Sequence, residues 1–137
     1  MDNAHVLARL DEHQATILDI TRRGERLPRG PERDAPALAR LRWELARAVM
    51  TYQGFKHREI FDPAMRLPDP DRAGAARRPK DMCLASDHAF RAYVSKWSSV
   101  DVLDRWDEYR PAALRLIADL RTGMAQEKAE AKALLRG

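Results

Sequence analysis

Four stretches of this chain repeat apolar residues at intervals of three and four, and clusters of proline and glycine part them; no other feature limits the fold so tightly. In the first stretch Val6, Leu10, His13, Ile17 and Ile20 share a stripe that Leu7 and Gln14 widen. That spacing gathers side chains on one face of an α-helix, whose turn takes about 3.6 residues. Nowhere does the strict two-residue alternation of a half-buried strand persist. Gly24 and Pro28 are expected to end the first helix and open a loop over residues 24–36. Asp34 has the short carboxylate that caps a helix start, with Ala35-Pro36 in the first turn, where a proline forfeits no needed bond. Leu38, Leu41, Leu45, Val49 and Tyr52 make the seam of the second helix, which Pro63, Pro68 and Pro70 close.

A third helix is expected to start at Pro79. Its apolar positions Met82, Leu84, Ala85, Ala89, Phe90, Tyr93, Val94 and Trp97 cover more than half the circumference and predict heavy burial. Ser98 and Asp101 are spaced as a capping box for the fourth segment, whose stripe runs from Leu103 and Trp106 through Ile117, Leu120, Met124 and Glu127 to Leu134. Pro111 interrupts the hydrogen-bond ladder of that segment and predicts a kink or a handover there. The expectation is one domain, residues 1–137, with helices at about 4–24, 35–65, 79–98 and 99–135. Joined by short and medium loops, they predict an all-α, antiparallel up-and-down four-helix bundle.

At 137 residues the chain can hide about two thirds of the surface it exposes when unfolded, enough for one core. Its single cysteine, Cys83, cannot close an intramolecular disulfide, and no run approaches the ~20 apolar residues of a membrane helix. Met1-Asp2-Asn3-Ala4-His5 shows neither a basic start nor an apolar stretch, so no secretory leader is expected. A reducing, cytoplasmic setting without membrane attachment follows as the expectation. The 25 basic and 21 acidic residues leave a net charge of +4 and interleave along the chain. The arginines at 22, 23, 26, 29 and 33 and the pair Arg77-Arg78 gather only near inferred loops, which reads as solvated surface and not as a nucleic-acid face. No glycine-rich phosphate loop, nucleophile elbow, CxxC or HExxH occurs, so no catalytic or cofactor-binding residue is assigned. Cys83 reads as a packing residue. Trp43, Trp97, Trp106 and Tyr109 read as anchors of the core or of an interface, and the latter would suit a homodimer.

Polar residues on apolar stripes carry the functional signal, because an imidazole or carboxylate desolvated without a partner costs on the order of a few kcal/mol. His13 lies between Leu10 and Ile17, and Glu127 between Met124 and Ala131. Gln53 and His57, four apart, face the same way on the second helix, and His88 follows Leu84 by one turn. Every helix thus offers a candidate, and metal sites inside bundles collect ligands in this way, imidazole nitrogen and carboxylate oxygen suiting iron, manganese or zinc. The structural alternative for each histidine is a hydrogen-bonded core residue; for Glu127 it is a solvated pair with Lys128 or Lys132. At ~1.5 Å per residue, His57 and His88 stand about equally far from the loop joining their helices, whereas Glu127 reaches their level only if the chain breaks near Pro111.

Asp11-Glu12-His13-Gln14-Ala15-Thr16-Ile17, followed by Ile20, resembles the first helix of hemerythrin-like, cation-binding domains. Gln53-Gly54-Phe55-Lys56-His57-Arg58-Glu59-Ile60-Phe61-Asp62-Pro63-Ala64-Met65 resembles the second helix of that family, in which an HxxxE ligand pair precedes a Phe-Pro ending. Ser86-Asp87-His88 with Phe90-Arg91, and Met124-Ala125-Gln126-Glu127, are similar to the third and fourth. The resemblance implies a four-helix bundle and, in its full form, a di-iron centre that binds oxygen. Four ligand positions depart from the family pattern: Gln53 stands for a histidine, His57 for the bridging carboxylate, and Ala92 and Gly123 for two further histidines. An imidazole in place of the bridge leaves the charge of two adjacent cations uncompensated. What the resemblance implies here is therefore a degenerate centre in a non-catalytic binding or regulatory module, with no cofactor expected. One alternative is a single iron or zinc held by His13, His57, His88 and Glu127, with Gln53 as a neutral oxygen ligand, sensing or storing oxygen or another small ligand. Another is a metal-free interaction module or homodimer that uses an apolar groove between helices.

Overall fold

The computed structural model describes residues 2–136, and among them every regular element is helical. Helix α1 spans Asn3–Arg29, capped by the Asp2 carboxylate, which accepts from the Ala4 amide. It outruns its expected end at Gly24. A glycine costs a helix interior only about 1 kcal/mol relative to alanine, too little to stop a helix anchored by buried Val6, Leu10, Ile17 and Ile20. Pro28 falls in the last turn, where its carbonyl accepts from Arg110 Nε at 2.8 Å. The expected loop over residues 24–36 thereby shrinks to 30–34.

Helix α2 spans Ala35–Lys56, with Asp34 accepting from the Ala37 amide at 3.0 Å and Pro36 in the first turn, as the sequence predicts. It runs on through a π-helical turn, His57–Phe61, into α3, Asp62–Met65, so the second rod ends where expected. Pro63 has no N–H for the carbonyl four residues earlier, and the wider turn immediately ahead of it absorbs the mismatch. A short helix, α4, Pro70–Ala75, occupies part of the expected loop. Its prolines read as breakers, yet Pro70 sits in a first turn that Asp69 caps.

Helix α5 spans Arg77–Ser98 and α6 spans Trp106–Leu135. Between them Asp101 accepts from the Leu103 amide and caps a 3₁₀ turn, Val102–Arg105, so the capping residue is Asp101 and not Ser98. The break in the fourth segment comes at Arg105, whose φ of −128° leaves the helical region, and Pro111 lies inside α6. The predicted heavy burial of α5 is also revised. Only Cys83, Phe90 and Trp97, seven apart, are buried there, while Met82 and Leu84 are exposed.

Helix α1 packs on α2 and α6, and α2 also packs on α5. Asn3 Nδ2 donates to the Leu135 carbonyl, and Arg110 to that of Pro28, so the start of α1 meets the end of α6 and the reverse. The larger apolar cluster centres on Leu10, Ile17, Val49, Phe55, Phe90 and Met124. A smaller one gathers Leu38, Trp97, Val102, Trp106, Tyr109 and Ala113. Each fully buried leucine or phenylalanine contributes about 1.5–3 kcal/mol. Of the aromatic anchors, Trp43 alone lies outside, 54% exposed. No helix among the described residues is long and apolar enough to cross a membrane.

Candidate functional site

A polar layer crosses the larger cluster. Four residues past Tyr52 on α2, Lys56 points inward and is only 2% exposed. Its Nζ donates to Glu127 Oε2 on α6 at 2.7 Å and lies 4.2 Å from the centre of the Tyr52 ring. The Tyr52 hydroxyl donates to Glu127 Oε1 at 2.9 Å, and accepts from Gln14 Nε2 on α1 at the same distance. Gln14 Nε2 also donates to the Met124 carbonyl at 2.9 Å. Beside this chain, Cys83 Sγ on α5 donates to Gln53 Oε1 at 2.8 Å. Each member satisfies another, which is what keeps polar atoms affordable inside a bundle.

The chemistry of this layer is that of a clamp. Burial, and after it the Glu127 carboxylate, push the Tyr52 hydroxyl far above the ordinary phenol value, so it stays protonated and donates. Burial likewise pushes the Cys83 thiol up, against the opposing pull of Lys56. Neither group is an activated nucleophile at neutral pH, because that requires the thiolate or a neighbouring base. Where α5 stands away from α6, a cavity of about 220 Å³ opens onto the layer, walled by Tyr52, Gln53, Ser86, Gly123 and Glu127 among others. A smaller space of about 60 Å³ adjoins it, between Lys56, Cys83, Gly123 and Glu127. Gly123 borders both, and an added Cβ there would meet nothing within 4 Å.

The five candidate ligands do not share one place. His13 is partly buried on α1, its ring centre 4.8 Å from that of Phe55. Burial first, then Arg9, holds its imidazole below the usual value. His57 packs edge-on to Phe61, with centres 5.3 Å apart; burial and then Lys80 lower it too. Lys80 is itself bound to Asp62 at 2.8 Å. Gln53 engages Cys83, and Glu127 engages Tyr52 and Lys56, whereas the structural alternative to a metal ligand is a pair with Lys128 or Lys132. His88 corrects an expectation: it is exposed. At 3.6 residues per turn it lies about 200° from Phe90, and the buried residues Cys83, Phe90 and Trp97 fix which face turns inward. Among the described residues no three His, Cys, Asp or Glu side chains converge to hold a metal ion. The donors also fit a metal poorly on chemical grounds. The Glu127 carboxylate already balances an ammonium, which would repel a second cation.

Of the buried polar residues, sequence reasoning passed over Thr21 and two cations, Lys56 and Arg42. Both cations carried a signal, since each lies four residues past a seam residue, Tyr52 and Leu38 respectively. Compared with family models, curated proteins and solved structures, the chain matches none.

Proposed function

We propose that this chain is a divergent hemerythrin-like bundle, antiparallel and up-and-down, that has replaced a metal centre with a lysine–carboxylate clamp and serves as a non-catalytic binding or regulatory module. The observation that carries this reading is the Lys56–Glu127 pair at 2.7 Å, with Lys56 buried inside the helices. A buried ammonium supplies in covalent form the positive charge that a bound cation would otherwise bring to the same carboxylate. The paired ends of α1 and α6 support the antiparallel arrangement, and Gly123, at a position where the family carries a histidine, lines the open space a binding module needs. Protonated Tyr52 and Cys83 agree with a role without covalent chemistry.

Elemental analysis of protein purified without a histidine tag tests this. Iron and zinc are expected far below one per chain, and the melting temperature should not respond to added iron, added zinc or a chelator. Iron or zinc near one per chain, lost in His57→Ala, would overturn the proposal and favour the single-metal alternative.

A further inference from the structure

Among the described residues two cationic side chains are buried, and they are treated differently. Lys56 has its carboxylate, but Arg42 on α2 has none: it is 9% exposed, and no Asp or Glu among the described residues lies within 4.0 Å of its guanidinium. Its Nε makes one long hydrogen bond, 3.4 Å to Ser98 Oγ, and its Nη1 is buried without any partner. A donor atom of a charged group, buried and left unpaired, is among the more unfavourable features a core can hold. Arg42 lines a cavity of about 40 Å³ between α1, α2, α5 and α6, whose walls are mostly apolar, Leu38, Leu41, Leu45 and Ile117 among them. Thr21, Tyr93 and Tyr109 are the hydroxyl-bearing residues of that lining.

We infer that the cavity beside Arg42 is a binding site for a short-chain monocarboxylate, whose carboxylate pairs with the buried guanidinium while its alkyl tail lies against the leucine and isoleucine walls. Charge sets the valence: one guanidinium balances one negative charge, and a phosphate dianion would leave a buried charge uncompensated. Planar donors of arginine match a carboxylate in two parallel hydrogen bonds. Volume sets the length: the space holds about three water-sized groups at ~10–15 Å³ each, which suits a tail of about one to three carbons once the carboxylate lies on the guanidinium, hence an acid of about two to four carbons. This site stands apart from the Lys56–Glu127 layer, with Phe90 and Leu116 walling both spaces, so the iron and zinc content of the protein can come out either way without deciding it.

Titration of the untagged protein with acetate, propionate, butyrate and hexanoate, followed by amide chemical shifts and by melting temperature, tests the inference. Saturable binding that strengthens up to three or four carbons and weakens at hexanoate is expected, with shifts centred on Arg42 and Ser98. Butyramide, the uncharged analogue, should not bind, and this comparison needs no variant. Arg42→Gln should weaken butyrate by about tenfold or more, and Arg42→Met should melt higher than the wild type without ligand yet gain nothing from butyrate. Absence of saturable binding would mean that an internal water alone serves Nη1, and the inference is wrong. Equal binding of chloride and butyrate, or binding undiminished in Arg42→Gln, overturns it as well.

Discussion

Removing the Glu127 carboxylate would strand Lys56 as an unpaired ammonium in the core, whereas removing Lys56 leaves a carboxylate that retains Tyr52 and some solvent. Glu127→Ala is therefore expected to lower unfolding stability by about 3–5 kcal/mol, and Lys56→Met to be nearly neutral, in urea denaturation. Equal losses from the two would show that the pair is not balancing a buried charge. Tyr52→Phe should cost about 1–3 kcal/mol, because Gln14 keeps its bond to the Met124 carbonyl while Glu127 loses a donor. Much of this layer was legible beforehand: the three-and-four stripe puts Gln14, Tyr52, Gln53 and Glu127 on inner faces, and all four meet the interior. It misplaces His88 because Leu84 and Ala92, apolar but exposed, suggest a phase that Cys83, Phe90 and Trp97 override. Lys56 and Arg42 lie on the same stripes, yet a long cation there reads as a side chain reaching for water until its surroundings are known.

Helix boundaries were readable where a cap names them and not where burial decides. Asp34 and Pro36 mark the start of α2 unaided, but Gly24 does not end α1, since the apolar contacts on either side of it outweigh one glycine. Local signals also could not show that α5 would bury only three residues while α2 buries nine. That difference has a measurable outcome. Native-state hydrogen exchange should show amides in the middle of α5, near Phe90, opening at lower free energy than those near Val49 on α2, because fewer buried apolar groups hold them. Equal protection in the two helices would contradict the loose seating of α5 against α6.

For the molecule as a whole, mild acid should destabilise through two partly buried imidazoles. Burial, helped by Arg9 at His13 and Lys80 at His57, keeps both imidazoles below the free value of 6.5. The unfolded chain consequently binds protons first as the pH falls. Stability is level above the unfolded value and declines as pH drops through it toward the folded values. Urea midpoints measured at about pH 7.5 and 5.5 should fall between the two, and the double variant His13→Gln, His57→Gln should flatten that change. An unchanged decline in the double variant would place the proton uptake elsewhere. The unequal placing of the three tryptophans has an optical consequence: Trp43 faces solvent while Trp97 and Trp106 are enclosed. A soluble quencher such as iodide would darken one emitter in the native protein and all three after unfolding. The enclosed pair belongs to the cluster built around Leu38, one helical turn from Arg42, so their light is a built-in gauge of that end of the molecule.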